Sequence, residues 1–231
     1  ALDFASKKEV SSFLQHFEGE KLFVKVGMEL FYQEGPSVIY SLKEQGHGIF
    51  LDLKLHDIPN TVYRAMKGLA KLGVDLTNVH AAGGREMMES AIEGLSDGSE
   101  GNRRPTLIAV TQLTSMSEDR MNRELAINKT MDEVVLQYAR NAKESGLDGV
   151  VCSAQEAPML TKSLGEDFLK VTPGIRLAST EANDQVRVVT PSEAYKLGAS
   201  SIVVGRSITA ARDPRYAYNT ILEQWRGVNI R

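Results

Sequence analysis

Residues 51–60 read LDLKLHDIPN. The first five alternate apolar and charged side chains: Leu51, Asp52, Leu53, Lys54, Leu55. A period of two predicts a β-strand, with Asp52 and Lys54 on one face and the three leucines on the other. Pro59 closes the strand, and Asp57 stands three residues beyond Lys54. Downstream, Val62, Ala65, Met66, Leu69 and Leu72 recur at helical spacing. Gly73 stops that helix just before the next apolar run, LTNVHA at 76–81. Strand, helix and glycine stop make one unit, and the unit repeats in both directions.

Eight strand candidates follow from the same reading: ALDF at 1–4, LFVKVG at 22–27, GIFLDLK at 48–54, LTNVHA at 76–81, TLIAVTQL at 106–113, GVVCS at 149–153, FLKVTPG at 168–174 and SIVVGR at 201–206. Between them lie other helical stretches, such as Val10, Phe13, Leu14, Phe17 and Val134, Val135, Tyr138, Ala142. Gly46, Gly146 and Gly198 are further stops. Eight β-α units in 231 residues predict an α/β fold, a (β/α)8 TIM barrel, as a single domain over 1–231. A doubly wound open sheet is the competitor, and it lacks the GxGxxG turn expected after its first strand. Ala1 runs straight into strand-like residues with no initiating Met, so a few N-terminal residues are expected to be missing from this chain. Residues 96–105, SDGSEGNRRP, predict a solvated connector in which Arg103 and Arg104 are a solvated pair. Residues 174–190 form a second long loop.

The bulk composition excludes several classes. A hydrophobic share of 42% is ordinary for a soluble globular protein, and a net charge of −3 leaves no basic footprint for nucleic acid. No apolar run approaches a membrane span, and no signal peptide is visible. With Cys152 as the only cysteine there is no internal disulfide and no thiolate metal cluster, and a cytoplasmic location is expected.

A barrel presents its chemistry where its strands end. Polar residues cluster there: Asp3, Lys25, Asp52 with Lys54, Gln112 with Thr114, Arg176, and Gly205 with Arg206. Projected together, Lys25, Asp52, Lys54 and Asp57 form a row of alternating charge. Each buried charge then has a partner, and an ammonium is left able to donate a proton in a dry site. An isolated Asp-x-Lys is more often a structural ion pair, but polar residues at so many strand ends shift the balance toward a site. Arg206 reads either as a surface cation or, following a glycine at the last strand end, as a residue placed where barrels bind phosphate, and the second reading is favoured. Blander roles fall to the rest. Cys152 reads as a small buried hydrophobe, Met87 and Met88 as core or rim, and Trp225 as a packing anchor. His16, His47, His56 and His80 share no metal spacing, although His80 is near a strand end.

The residues closely resemble the bacterial orotidine 5′-monophosphate decarboxylases over essentially the whole chain. The resemblance is carried by FVKVGMELFY at 23–32, DLKLHDIPNT at 52–61, NVHAAGG at 78–84, AVTQLTS at 109–115, DGVVCS at 148–153, VTPGIR at 171–176, NDQVRVVTP at 183–191 and IVVGRSIT at 202–209. The D-x-K-x-x-D element alone is shared with sugar-phosphate decarboxylases and aldol-type synthases of the same superfamily. Lys25, the extension from Asp57 to Thr61 and the loop with Gln185 discriminate. The resemblance implies loss of CO2 from orotidine 5′-monophosphate to give UMP, the last step of de novo pyrimidine synthesis, with no cofactor and no metal. It implies Lys54 as proton donor to C6 and Asp52 beside the departing carboxylate. Lys25 and Asp3 are implied to hold the ribose and order the charge row, and Thr114 to contact the pyrimidine edge. Gln185, Arg206 and the Gly205 backbone are implied to hold the 5′-phosphate, with Arg176 lining the same region. It further implies a homodimer in which Asp57 and Thr61 reach the neighbouring site. Two alternatives stay open: a metal-dependent sugar-phosphate enzyme, which needs carboxylates where Lys25 stands, and a catalytically silent nucleotide-binding barrel.

Overall fold

The computed structural model describes residues 1–177 and 188–227. Seven strands lie in chain order in one sheet, every neighbour parallel: β1 (Phe23–Gly27), β2 (Gly48–Leu55), β3 (Leu76–His80), β4 (Thr106–Val110), β5 (Gly149–Val151), β6 (Leu169–Thr172) and β7 (Ser201–Ile202). Helices separate the strands, as parallel crossovers require. The eighth place is taken by the first residues of the chain. Leu2 makes an isolated parallel bridge to Val26 and donates its N–H to the Lys25 carbonyl at 2.9 Å. The Ala1 nitrogen donates to the Val204 carbonyl at 2.6 Å. This short segment therefore links the end of the sheet to its beginning and completes a (β/α)8 barrel.

The stretch 1–4 thus forms a single bridge where a strand was expected. The chain leaves the sheet because Phe4 turns outward to pack on Phe13, with ring centroids 5.2 Å apart. Ser6 then caps the helix Lys7–Leu14 through a capping box with Glu9. At the other end the strand candidate 201–206 contracts to two residues, because Gly205 turns the backbone into a short helix, Arg206–Thr209.

Alternation sorts the side chains into two cores. Phe50, Leu76, Ile108 and Val171 form a separate buried cluster on the inner face of the barrel, with Val151 and Val203 against it. Leu51, Leu53 and Val79, of opposite parity, join the larger cluster beneath the helices. Lys25, Asp52 and Asn78 continue the inward row above the plug of Phe50 and Leu76. The four expected glycine stops, Gly46, Gly73, Gly146 and Gly198, all take positive φ of 72° to 85°. Met87 and Met88 are buried in the core, as is Cys152, and Trp225 stacks edge-on against Tyr195.

The connector 96–105 needs two corrections. Its first residues extend a helix, Gly84–Gly98. Arg104 is not solvated beside Arg103: its guanidinium grips both Asp148 oxygens at 2.6 and 3.0 Å, and Asp148, which also accepts the Leu107 N–H, ties the guanidinium to the start of β4.

The helix that follows β2, Pro59–Ala70, packs closely on Gly84–Gly98. Two glycines make the approach possible. A Cβ on Gly94 would collide with the Tyr63 carbonyl, and one on Gly98 with that of Lys67. Gly94→Ala is therefore expected to lower unfolding free energy by about 1–3 kcal/mol through overpacking, despite the ~1 kcal/mol that Ala gains in helix propensity. Urea unfolding checks this, and unchanged stability would show that the two helices can separate freely.

Candidate active site

The site begins with an interruption in β2. Leu51 pairs with Thr77 and Leu55 with Val79, so residues 52–54 face the single residue Asn78 of β3. Such a bulge re-aims side chains. Here Lys54 adopts φ of +53°, the left-handed region, which costs a non-glycine residue about 1–3 kcal/mol and clusters at functional sites. The bulge deprives the Lys54 N–H of a ladder partner. The side-chain oxygen of Asn78 replaces that partner, accepting the N–H at 2.7 Å.

Four charged side chains meet at this point. Lys54 Nζ lies 2.6 Å from Asp52 Oδ1, and Lys25 Nζ lies 3.4 Å from Asp52 Oδ2 and 3.2 Å from Asp3 Oδ1. The order Asp3, Lys25, Asp52, Lys54 alternates in sign. Asp52 is the most buried of the four, its side chain 11% exposed, and Asp3 the least, at 53%. Asn78, fully buried, donates its amide to Asp52 Oδ1 at 2.7 Å. Burial pushes the Asp52 carboxyl up, but Lys54, Lys25 and the hydrogen bonds from Lys54 and Asn78 together hold it below the usual carboxylate range. Asp52 is therefore an anion at neutral pH.

The surrounding backbone leaves little space. A Cβ on Gly27 would lie 3.3 Å from Lys25 Nζ, and one on Gly205 would lie 3.2 Å from Asp3 Oδ2. Gly205 thus brings the start of the Arg206–Thr209 helix against the Asp3 end of the row. Arg176 is buried, with Nη1 donating to the Ile175 carbonyl at 2.9 Å. Gln112 is buried just past β4, and Thr114 is half-buried two residues on. Gln185 lies outside the described residues.

Asp57 departs from the expected row. Within one chain it is exposed, and its Oδ1 accepts the Ile58 N–H at 2.7 Å. Among the described residues it forms no ion pair with Lys54. The reason is its position beyond the bulge, where the chain has turned toward the helix Pro59–Ala70. Thr61 in the first turn of that helix is exposed as well, and so is Ile58 at 67%. Asp3 takes the fourth place in the row.

Asn78 was not singled out from the sequence, although the pattern Leu76, Asn78, His80 placed an amide on the inward face. His80 follows at the end of β3, its ring 5.7 Å from that of His56. Burial, then the charges of His56 and Lys54, lower its pKa from 6.5, against the opposing pull of Asp52. Among the described residues no group of three or more His, Cys, Asp or Glu side chains gathers as a metal site. A carboxylate flanked by two ammonium groups can instead order charge around an anionic substrate and supply a proton.

The His80 environment can be measured. Its imidazole should titrate below 6.5 in the native protein, and Lys54→Ala should move the midpoint upward by removing a positive neighbour. Histidine NMR titration reads both values. An unmoved midpoint in Lys54→Ala would place the charge row out of His80's reach.

Residues 1–221 match the model of the Orotidine 5'-phosphate decarboxylase / HUMPS family. An orotidine 5'-phosphate decarboxylase from Geobacillus sp. (strain WCH70) is 67% identical over 228 residues, covering 98% of this chain and 95% of that protein. A crystal structure of orotidine 5'-phosphate decarboxylase from Lactobacillus acidophilus superposes with a TM-score of 0.85 at 48% identity, covering 97% of this chain and 96% of that one. The crystal structure of an uncharacterized conserved protein from Geobacillus kaustophilus gives 0.87 at 56% identity, with 97% of each chain covered.

Proposed function

This chain belongs to the orotidine 5'-phosphate decarboxylase / HUMPS family, and from that membership we propose that it converts orotidine 5′-monophosphate to UMP and CO2, the last step of de novo pyrimidine synthesis. The observation that carries the reading is the alternating row Asp3–Lys25–Asp52–Lys54, with the Lys54 ammonium 2.6 Å from a buried carboxylate. Lys25 occupies the place where the metal-dependent sugar-phosphate chemistry of related barrels needs carboxylates.

The chemistry follows from that row. Breaking the C6–CO2 bond leaves the electron pair on C6, in an in-plane orbital that the pyrimidine ring cannot delocalise. Fixed charge aimed at the forming carbanion lowers the barrier without an electron sink. Lys54 stabilises the carbanion, then transfers its Nζ proton to C6, and solvent reprotonates the amine. Asp52 stands beside the departing carboxylate and holds Lys54 in place. Lys25 and Asp3 bind the ribose, and Thr114 meets the ring edge. Gln185, Arg206 and the Gly205 backbone hold the 5′-phosphate beside Arg176. Binding energy from that remote phosphate is available to exclude water at the reacting carbon. The reaction uses no cofactor in this account, and the enzyme works in the cytoplasm.

The exposed trio Asp57, Ile58 and Thr61 supports a homodimer in which each chain completes its neighbour's site. Asp57 has no ion-pair partner among the described residues of its own chain, and Ile58 offers an apolar contact beside it.

Lys54→Ala should lower kcat at least about a thousandfold, because both proton transfer and charge stabilisation are lost. UMP binding should survive. Near-native kcat would remove Lys54 from the mechanism. The shared site has its own test. Lys54→Ala and Asp57→Ala homodimers should each be nearly inactive. Unfolded together in equal amounts and refolded, they pair at random, and one site in each mixed dimer receives both native residues. Activity should return to about a quarter of all sites. Confirmed mixed dimers without recovery would mean that Asp57 acts within its own chain.

A further inference from the structure

We propose that Asn78 is the positioning residue of this site: one side-chain amide fixes both the orientation of the Asp52 carboxylate and the strained backbone that aims Lys54. The inference rests on the reading above that Asp52 and Lys54 carry the reaction. Asn78 Nδ2 donates to Asp52 Oδ1 at 2.7 Å, and Asn78 Oδ1 accepts the Lys54 N–H at 2.7 Å. Only one orientation of the amide satisfies both, since the carboxylate needs a donor and the N–H an acceptor. Asn78 has itself little freedom. It is fully buried, and its backbone pairs in register with Ile108 on β4.

The residue type follows from the geometry. Aspartate offers the acceptor but no donor while ionised, and sets a second negative charge against Asp52. Leucine offers neither group and leaves the partly buried Lys54 N–H without its acceptor. Alanine leaves both Asp52 Oδ1 and the bulge unsupported. Lys54 holds φ of +53° without the freedom of glycine, so the bond to its own N–H opposes relaxation of the bulge. Because Asn78 bonds to both partners, a shift in one reaches the other through a single rigid amide. No charge on Asn78 takes part, so its contribution is placement.

The test uses the full-length protein carrying Asn78→Ala or Asn78→Asp. In Asn78→Ala, kcat for orotidine 5′-monophosphate should fall about 100-fold, the cost expected for misplacing a reacting group by about 1 Å. Its dissociation constant for UMP should change less than about threefold, because the loss is confined to the transition state. Asn78→Asp keeps the acceptor for Lys54 and gains a donor only when the introduced carboxyl is protonated. Its kcat relative to native should therefore rise as pH is lowered from about 8 to about 6, since burial beside Asp52 raises the pKa of such a carboxyl. A kcat in Asn78→Ala within about threefold of native overturns the proposal. So do equal losses of kcat and UMP affinity together with a flat relative pH profile, which describe a residue that only supports the fold. Should Asn78→Ala fail to fold, the Asn78→Asp profile decides alone. Should the native protein leave orotidine 5′-monophosphate intact, the proposed reaction fails while the clamp is read by amide exchange at Lys54. Faster exchange in Asn78→Ala but not in Asn78→Asp supports it, and equal exchange in all three proteins overturns it.

Discussion

The Asp52 carboxylate is buried, and a buried carboxylate stays ionised only where cations and hydrogen-bond donors surround it. Lys54, Lys25 and Asn78 supply that surround, from three adjacent strands. The arrangement works in both directions. Without Asp52, two ammonium groups would face one another across a narrow mouth, and each would repel the other. Without the two lysines, burial would push the carboxyl pKa up, opposed only by the hydrogen bond from Asn78. The ion pairs therefore stand or fall together, and the local geometry of β2 and β3 is what brings them into range.

Beneath that group lies an apolar cluster. Phe50 and Leu76 are buried directly below Asp52 and Asn78 on the same strands, with Ile108 and Val171 beside them. Burial of each such side chain contributes roughly 1.5–3 kcal/mol. Where the surroundings are apolar, each fixed charge acts more strongly on a bound anion than it would in solvent. On the proposed reading this is why an enzyme could dispense with an electron sink: the field at C6 is set before the substrate arrives.

Much of this was legible in the sequence because it depends on period and spacing. Alternation in LDLKL placed Asp52 and Lys54 together on the inward face. Glycines at 46, 73, 146 and 198 marked helix ends, because left-handed backbone is cheap only without a Cβ. What escaped was of another kind. The bulge at Lys54 has no local signature, since its cost is met by a side chain on a different strand. Asn78 looked like any polar strand residue until its two partners were in view. Asp57 lies past the bulge, where alternation no longer reports direction. The stretch 1–4 read as a strand from its composition, but a tertiary contact between Phe4 and Phe13 draws it out of the sheet. Arg104 read as solvated because its partner Asp148 lies beyond a strand and two helices in sequence.

On the proposed reading, preorganised charge from the protein's own residues drives decarboxylation without a metal or an electron sink. The most direct measurement is turnover of orotidine 5′-monophosphate by native protein dialysed exhaustively against a chelator, following loss of the orotate chromophore together with released CO2. The account predicts undiminished turnover, with one UMP and one CO2 formed for each substrate consumed. A protein that left the chromophore unchanged, or that regained activity only when a divalent cation was restored, would contradict it.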